Sequence, residues 1–425
     1  MNLRPLNRNA LWNLAGSAVP MVAAVLTIPY MLKALGAEAF GVLTLVWALI
    51  GYFSLFDLGV GRALTYQLSR LVSLNSTNEV SPTLQAGLVL TTIAGMLGAL
   101  IVWLLAPALA GRWLGISTAL QADAALAFVI SAVGVLPTTI ASGLRGALEG
   151  LERFAASNIS RIFLGLWMFI LPAVAIYLHG PQLWSIAIYL VLGRGLVVVA
   201  MAWQLRSVLL SRAVPMVRRH LGALWSYGLW VTVTGIVGPL MIYGDRFFVS
   251  AAVGATQLPF YAIPQEGLLR LLIIPVALTG ALMPRMSALN GNAAMDLYRH
   301  SLRRIVILMF VVCLAAAALA YPLLGVWLSF DFASAALPVV LVLCAGIWVN
   351  SIALVPYTLL HSRGNPRITA IFHLAELFIY VGVLWILTAW LGLLGAALAW
   401  LFRVVLDLAL LSWAVRRLSA HGGKY

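Results

Sequence analysis

Charge is what this sequence has least of. Only 9% of the residues are charged, against about a quarter in soluble domains. Carboxylates are the scarcer sign, 12 against 26 basic residues. With 63% hydrophobic residues, burial in one water-soluble core is excluded, and the solvent for most of the chain is a bilayer. The two cysteines, Cys313 and Cys344, both lie in apolar runs. They exclude a disulfide framework and a cysteine metal motif, and read as small buried apolar residues. Short alternating strands are missing, which excludes a membrane β-barrel. A nucleophile elbow, a phosphate-binding loop and a metal cluster are missing too. Serine, histidine and acidic residues do not converge on any loop. We therefore assign no catalytic residue, no metal ligand and no cofactor. The net charge of +14 would point to nucleic acid in a soluble protein; here membrane topology explains most of it.

What is present is a series of apolar runs of about 20 residues or more, the length of a membrane-spanning helix. The pattern predicts an all-α polytopic membrane protein with twelve spans: 10–35, 40–62, 83–107, 122–142, 161–178, 183–203, 223–253, 259–283, 305–328, 337–360, 369–390 and 394–415. The first run is too long for the apolar core of a secretory signal and lacks a small-residue cleavage site, so it reads as a retained helix. Twenty basic residues fall on one side of these spans, and only Lys33 and Arg112 on the other. That asymmetry predicts that both termini are cytoplasmic. The connections are too short for a soluble catalytic domain.

A weak internal repeat is visible. Ala10-Leu11-Trp12-Asn13 opens the first span and Ala223-Leu224-Trp225-Ser226 the seventh. Each span has an interior proline, Pro20 or Pro239, and ends in a turn, Leu35-Gly36-Ala37 or Val253-Gly254-Ala255. Six helices per half preserve orientation, which predicts parallel repeats about an axis along the membrane normal, an arrangement used by transporters. The expected organisation is an N-terminal lobe over 1–205, a basic cytoplasmic linker over 206–222 and a C-terminal lobe over 223–425. Interior prolines, among them Pro264 and Pro275, are expected to bend helices where the halves meet.

Charges inside apolar spans are costly, by roughly 2.5 kcal/mol or more each at the membrane centre, and normally face a polar interior. Five groups occur: Asp57 with Arg62; Arg145 with Glu149; Arg194 alone between Gly193 and Gly195; Asp245-Arg246 with Glu266 and Arg270; and Glu376 with Arg403 and Asp407. Arginine grips phosphate oxygens as a planar fork. Arg194, Arg246 and Arg270, followed by Arg62 and Arg145, are therefore the candidate contacts to an anionic substrate such as a phosphate ester. Asp57, Asp245, Glu266 and Glu376 are the candidate ion-coupling groups, with salt-bridge partnership as the alternative role. Arg145–Glu149 and Arg403–Asp407 have the i,i+4 spacing of structural pairs. His373 and Glu376 make a poor metal pair, with no second histidine or cysteine nearby. The Gly146–Gly150 spacing fits close helix packing, but in a glycine-rich membrane protein the match says little.

The run Leu35-Gly-Ala-Glu-Ala-Phe40-Gly41, an apolar span, and then Phe56-Asp57-Leu-Gly59-Val-Gly61-Arg62-Ala63 resembles the start of the Wzx-type polysaccharide flippases. These belong to the MATE-like superfamily of multidrug, oligosaccharidyl-lipid and polysaccharide exporters. The resemblance implies two six-helix lobes around a central cavity, in the bacterial inner membrane. It implies an undecaprenyl-diphosphate-linked oligosaccharide as substrate, turned from the cytoplasmic to the periplasmic leaflet for O-antigen, capsule or exopolysaccharide synthesis. A coupling ion, proton or sodium, and polysaccharide polymerase machinery would be partners besides membrane lipid; nucleic acid would not. Two rivals stand beside it. A MATE-like drug or cation antiporter would prefer an acidic, aromatic lumen, against Arg246 and Arg270. A membrane-embedded glycosyltransferase or polymerase would need a large outward loop, which is absent.

Overall fold

The structure, a computed structural model, describes residues 4–53, 59–74, 76–210, 240, 241, 243–289, 291–364 and 366–420. All regular structure among them is helical. Nine helices among the described residues are long and apolar enough to cross a membrane, so the chain is a multi-pass membrane protein. Two of the nine contain a sharp break, at Gly36 and at Gly392. The break at Gly36 lies between the first and second expected spans, that at Gly392 between the eleventh and twelfth. Most of the seventh expected span, the Ala223 repeat signal, Pro239 and Asp57 lie outside the described residues.

The described chain divides into two compact units, Met1–Tyr243 and Gly244–Tyr425. The expected linker is described only as far as residue 210. Glycine conformation carries the repeat into the structure. Gly36 (φ 76°, ψ 169°) and Gly254 (φ 88°, ψ 156°) sit at corresponding turns in nearly the same conformation. Gly180 (φ 79°, ψ −174°) and Gly392 (φ 58°, ψ −134°) occupy another such pair of junctions. This region of backbone space is essentially closed to residues with a Cβ.

The first unit contains α1 (Arg4–Phe53), α2 (Val60–Ser73), α3 (Thr77–Ala108), α4 (Thr118–Gly150), α5 (Phe154–His179) and α6 (Leu183–Gln204). Of the second expected span, residues 40–53 form the later limb of α1 and 60–62 open α2, while 54–58 lie outside the described residues. Val60, Ala63, Leu64 and Leu68 bury one face of α2, while Arg62, Tyr66 and Arg70 are exposed on the other. α4 is central, packing on α2, α3 and α6. The Gly146–Gly150 spacing turns out to decide this packing. A Cβ on Gly146 would sit 2.0 Å from the Gly61 carbonyl oxygen, and one on Gly150 3.0 Å from that of Thr65. Thr65 Oγ1 donates to the Gly146 carbonyl at 3.1 Å, across this close approach. Such strips of small residues substitute for hydrophobic driving force between helices in lipid. At the other end of the helices, Asp123 of α4 accepts the first-turn N–H groups of α6, from Leu183 at 2.8 Å and Trp184 at 3.1 Å.

The second unit contains α7 (Asp245–Val253), α8 (Leu258–Leu269), α9 (Ile273–Ala288), α10 (Gly291–Trp327), α11 (Phe330–Ser362) and α12 (Pro366–Ala420). α11 packs on α8, α9, α10 and α12, and α12 also packs on α7. Trp400, 1% exposed, fills the notch left by Gly346, where a Cβ would come within 2.2 Å of the indole. Between α8 and α9, Arg270–Leu272 form a single 3-10 turn. Pro275 explains it: with no N–H, proline cannot bond the carbonyl four residues back, at Leu271, and its ring crowds that carbonyl. A 3-10 turn inside a helix is a common mark of a functional hinge. Pro20 and Pro29, by contrast, lie within continuous helix in α1.

Candidate functional site: buried charge in the second unit

Asp245 and Arg246 are neighbours at the start of α7, and both turn toward α8. They are 1% and 3% exposed. Asp245 Oδ2 accepts from the Tyr261 hydroxyl at 2.6 Å and from the Gln265 amide at 2.7 Å. Arg246 Nε donates to the Gln265 carbonyl oxygen at 3.2 Å, and Nη2 to Glu266 at 2.9 Å. Gln265 thus presents its acceptor to the cation and its donor to the anion, so that its amide separates two opposite charges while bonding both. The other Glu266 oxygen accepts from Arg270 Nη2 at 2.7 Å. Glu266 is therefore shared by two guanidiniums, one buried and one largely open, with side chains 4% and 44% exposed.

The four charges, Asp245, Arg246, Glu266 and Arg270, cancel. A neutral, hydrogen-bonded cluster can be held in a membrane segment where single charges could not. Arg270, at the 3-10 turn, is the member able to change partners, since its exposed fork keeps donors that Glu266 does not use.

A second cluster lies on α12. Glu376 precedes the bend at Gly392 and Asp407 follows it, at almost equal distance along the chain, so the two limbs bring them together. His373 Nε2 lies 3.6 Å from Asp407 Oδ1, and donor atoms of His373, Glu376 and Asp407 all fall within 4.8 Å of one another. Glu376 is 0% exposed, Arg403 7% and Asp407 6%. Among the described residues, no N–H or O–H donor reaches either oxygen of Glu376 or Asp407 Oδ1 within hydrogen-bonding geometry, and Arg403 Nε finds no acceptor. The spacing of Arg403 and Asp407 reads as a structural pair within one turn. The bend instead places His373 beside Asp407 and supplies the third donor that His373 and Glu376 lack in sequence.

The remaining candidates are dispersed. Arg194 lies midway along α6 and donates to the Leu190 carbonyl of its own helix at 3.1 Å. No carboxylate lies within ion-pair distance of it among the described residues. Arg62 is exposed on α2, and Arg145 is half-buried near the end of α4, where Glu149 accepts from Ser157 at 2.8 Å. Sequence reasoning that follows formal charge passes over Tyr261 and Gln265. Their four-residue spacing, with Gln265 adjoining Glu266, is the signal that could have marked them.

Paired charge buried within membrane-spanning helices marks a functional region in a polytopic membrane protein. The comparisons narrow this. The model of a family described as polysaccharide biosynthesis protein matches residues 6–290, and the chain belongs to that family. It is 30% identical over 416 residues, 97% of this chain and 98% of the other, to a Shigella flexneri protein named "Putative O-antigen transporter". Its fold is that of MATE transporters. It matches an inward-facing multidrug resistance MATE transporter of the MOP superfamily with a TM-score of 0.78, at 14% identity and over 96% of this chain and 98% of that one. A MOP superfamily transporter from Pyrococcus furiosus, whose binding pocket is described as reversed in polarity, matches with a TM-score of 0.65 at 15% identity, over 97% and 95%.

Proposed function

We propose that this protein is a flippase that turns an undecaprenyl-diphosphate-linked oligosaccharide from the cytoplasmic to the periplasmic leaflet of the bacterial inner membrane. It would serve O-antigen, capsule or exopolysaccharide synthesis by ion-coupled alternating access, through twelve spans with both termini cytoplasmic. The observation that carries the reading is the near end-to-end likeness to the Shigella flexneri protein. The chemistry agrees with it. A diphosphate requires fork-shaped donors within the membrane; Arg270 beside a neutral network is one candidate, and Arg194, which has no ion-pair partner among the described residues, is another in the first unit. Arg62 and Arg145 would meet the head group nearer the cytoplasmic face. Asp57, Asp245 and Glu376 would serve ion coupling, while Glu266 would hold Arg270 in place until a phosphate displaces it. We read the protein as a carrier and not an enzyme, with lipid-linked oligosaccharide and membrane lipid as its partners. An arginine-bearing path disfavours organic cations as cargo.

Leaflet accessibility of lipid-linked oligosaccharide in a strain lacking this protein tests the proposal. The expected result is accumulation on the inner leaflet, relieved by the wild-type chain and not by Arg270→Ala or Arg194→Ala at equal membrane abundance. Normal leaflet distribution without the protein would overturn the function. Full rescue by both variants would remove those arginines from the path.

A further inference from the structure

The His373–Glu376–Asp407 cluster has the wrong charge to be a structural ion pair. With neutral imidazole, two carboxylates and the Arg403 guanidinium leave one negative charge in a buried part of α12. Glu376 is fully buried, and both its oxygens lack hydrogen-bond partners among the described residues. An ionised carboxylate in that state is the costliest arrangement a buried polar group can adopt. One added positive charge makes the cluster neutral; a divalent ion would leave a surplus charge of the opposite sign.

The groups around the cluster favour a proton over other monovalent cations. His373 adjoins Asp407, and an imidazole ring can both give and accept a proton at its nitrogens. A line of rings leads to it from the end of α11. His361 stacks on Tyr357 with ring centroids 4.0 Å apart, and Tyr357 lies parallel to His373, 6.1 Å away with planes 8° apart. His361 also hydrogen-bonds Thr369 Oγ1 at 2.9 Å, close to the turn between α11 and α12. α7 and α8 also pack on α12 and carry the charged groups of the first cluster. There Asp245, Arg246 and Glu266 are matched within their own network, and Tyr261 is bonded to Asp245. Tyr380, one turn beyond Glu376, is the polar group between the two clusters.

We propose that Glu376, Asp407 and His373, with Arg403 as fixed counter-charge, form a binding site for one exchangeable proton, reached past His361 and Tyr357. The assignment deepens the ion-coupled reading above, on which its role in transport rests: protonation neutralises the cluster and deprotonation leaves it charged. The purified full chain in detergent, followed by infrared difference spectroscopy, tests it. The expected result is a carboxylic-acid C=O band that appears and disappears reversibly as the pH is changed. It should be lost in Glu376→Gln or in Asp407→Asn. Glu376→Gln imitates the neutral form and should fold. His373→Phe should retain the band and slow its response to a pH jump by about tenfold or more, the range for losing a positioned acid–base group. Absence of such a band in the wild type, or a band unchanged in both carboxylate variants, overturns the proposal. So does sodium or zinc binding abolished by the same variants. A band that behaves as expected in a protein whose transport ignores the pH gradient would leave the site standing and overturn the coupling reading.

Discussion

Replacing Glu266 with glutamine removes the one carboxylate that two guanidiniums share, and its two neighbours should respond unequally. Arg246 has only 4% of its side chain exposed. Leaving such a charge without its partner costs about 3–5 kcal/mol in buried pairs. Its bond to Gln265 remains and offsets part of this, so the lower end applies to Glu266→Gln. Arg270, with 44% of its side chain exposed, is not enclosed by the protein, so removing it empties little packed space and leaves Glu266 its pair with Arg246. Arg246→Ala should therefore lower thermal stability strongly, Glu266→Gln somewhat less, and Arg270→Ala least of the three. The double variant Arg246→Met/Glu266→Met removes this ion pair, leaves Asp245 held by Tyr261 and Gln265, and should recover part of the loss. Recovery stays incomplete because the Gln265 carbonyl oxygen loses its donor, a cost of about 1–3 kcal/mol. Tryptophan-fluorescence melting in one detergent, with membrane abundance as control, measures the order. The reasoning fails if Arg270→Ala melts as early as Arg246→Ala, or if Glu266→Gln melts with the wild type.

Three further outcomes follow from the packing. Gly146→Ala places a Cβ against the Gly61 carbonyl and should cost about 1–3 kcal/mol, the range for overpacking; Gly195→Ala on α6, with open space around it, is the control for melting temperature. Gly36→Ala meets nothing within 4 Å, so any loss reports the backbone alone, at φ 76°, and should amount to about 1–3 kcal/mol; a melting temperature equal to wild type would show that the turn relaxes freely. Asp123→Ala unsatisfies two N–H groups at the start of α6 and should cost about 0.5–2 kcal/mol, read as earlier protease cleavage between α5 and α6; unchanged cleavage would refute the capping role.

The fold class was legible because a bilayer imposes long apolar runs whatever the tertiary arrangement. The site was legible only where charge interrupts them. Arg246, Glu266 and Arg270 stand out for that reason, whereas Tyr261 and Gln265, uncharged and unremarkable in an apolar helix, do not. Asp407 was visible, but its one-turn spacing from Arg403 suggested a local pair. The Gly146–Gly150 spacing had too many equals along the chain to be chosen.

Hydropathy was enough to establish a helical membrane protein and to point to its unusual charges, because transfer into lipid is a property of each segment by itself. Which charges meet was decided by two backbone events. Pro275 breaks the helix at Arg270 and leaves that guanidinium half-exposed beside Glu266. Gly392 folds α12 back, so that residues widely separated in sequence become neighbours. Coulomb energy depends on distance through space, and a one-dimensional pattern holds that distance only within a turn or two of helix.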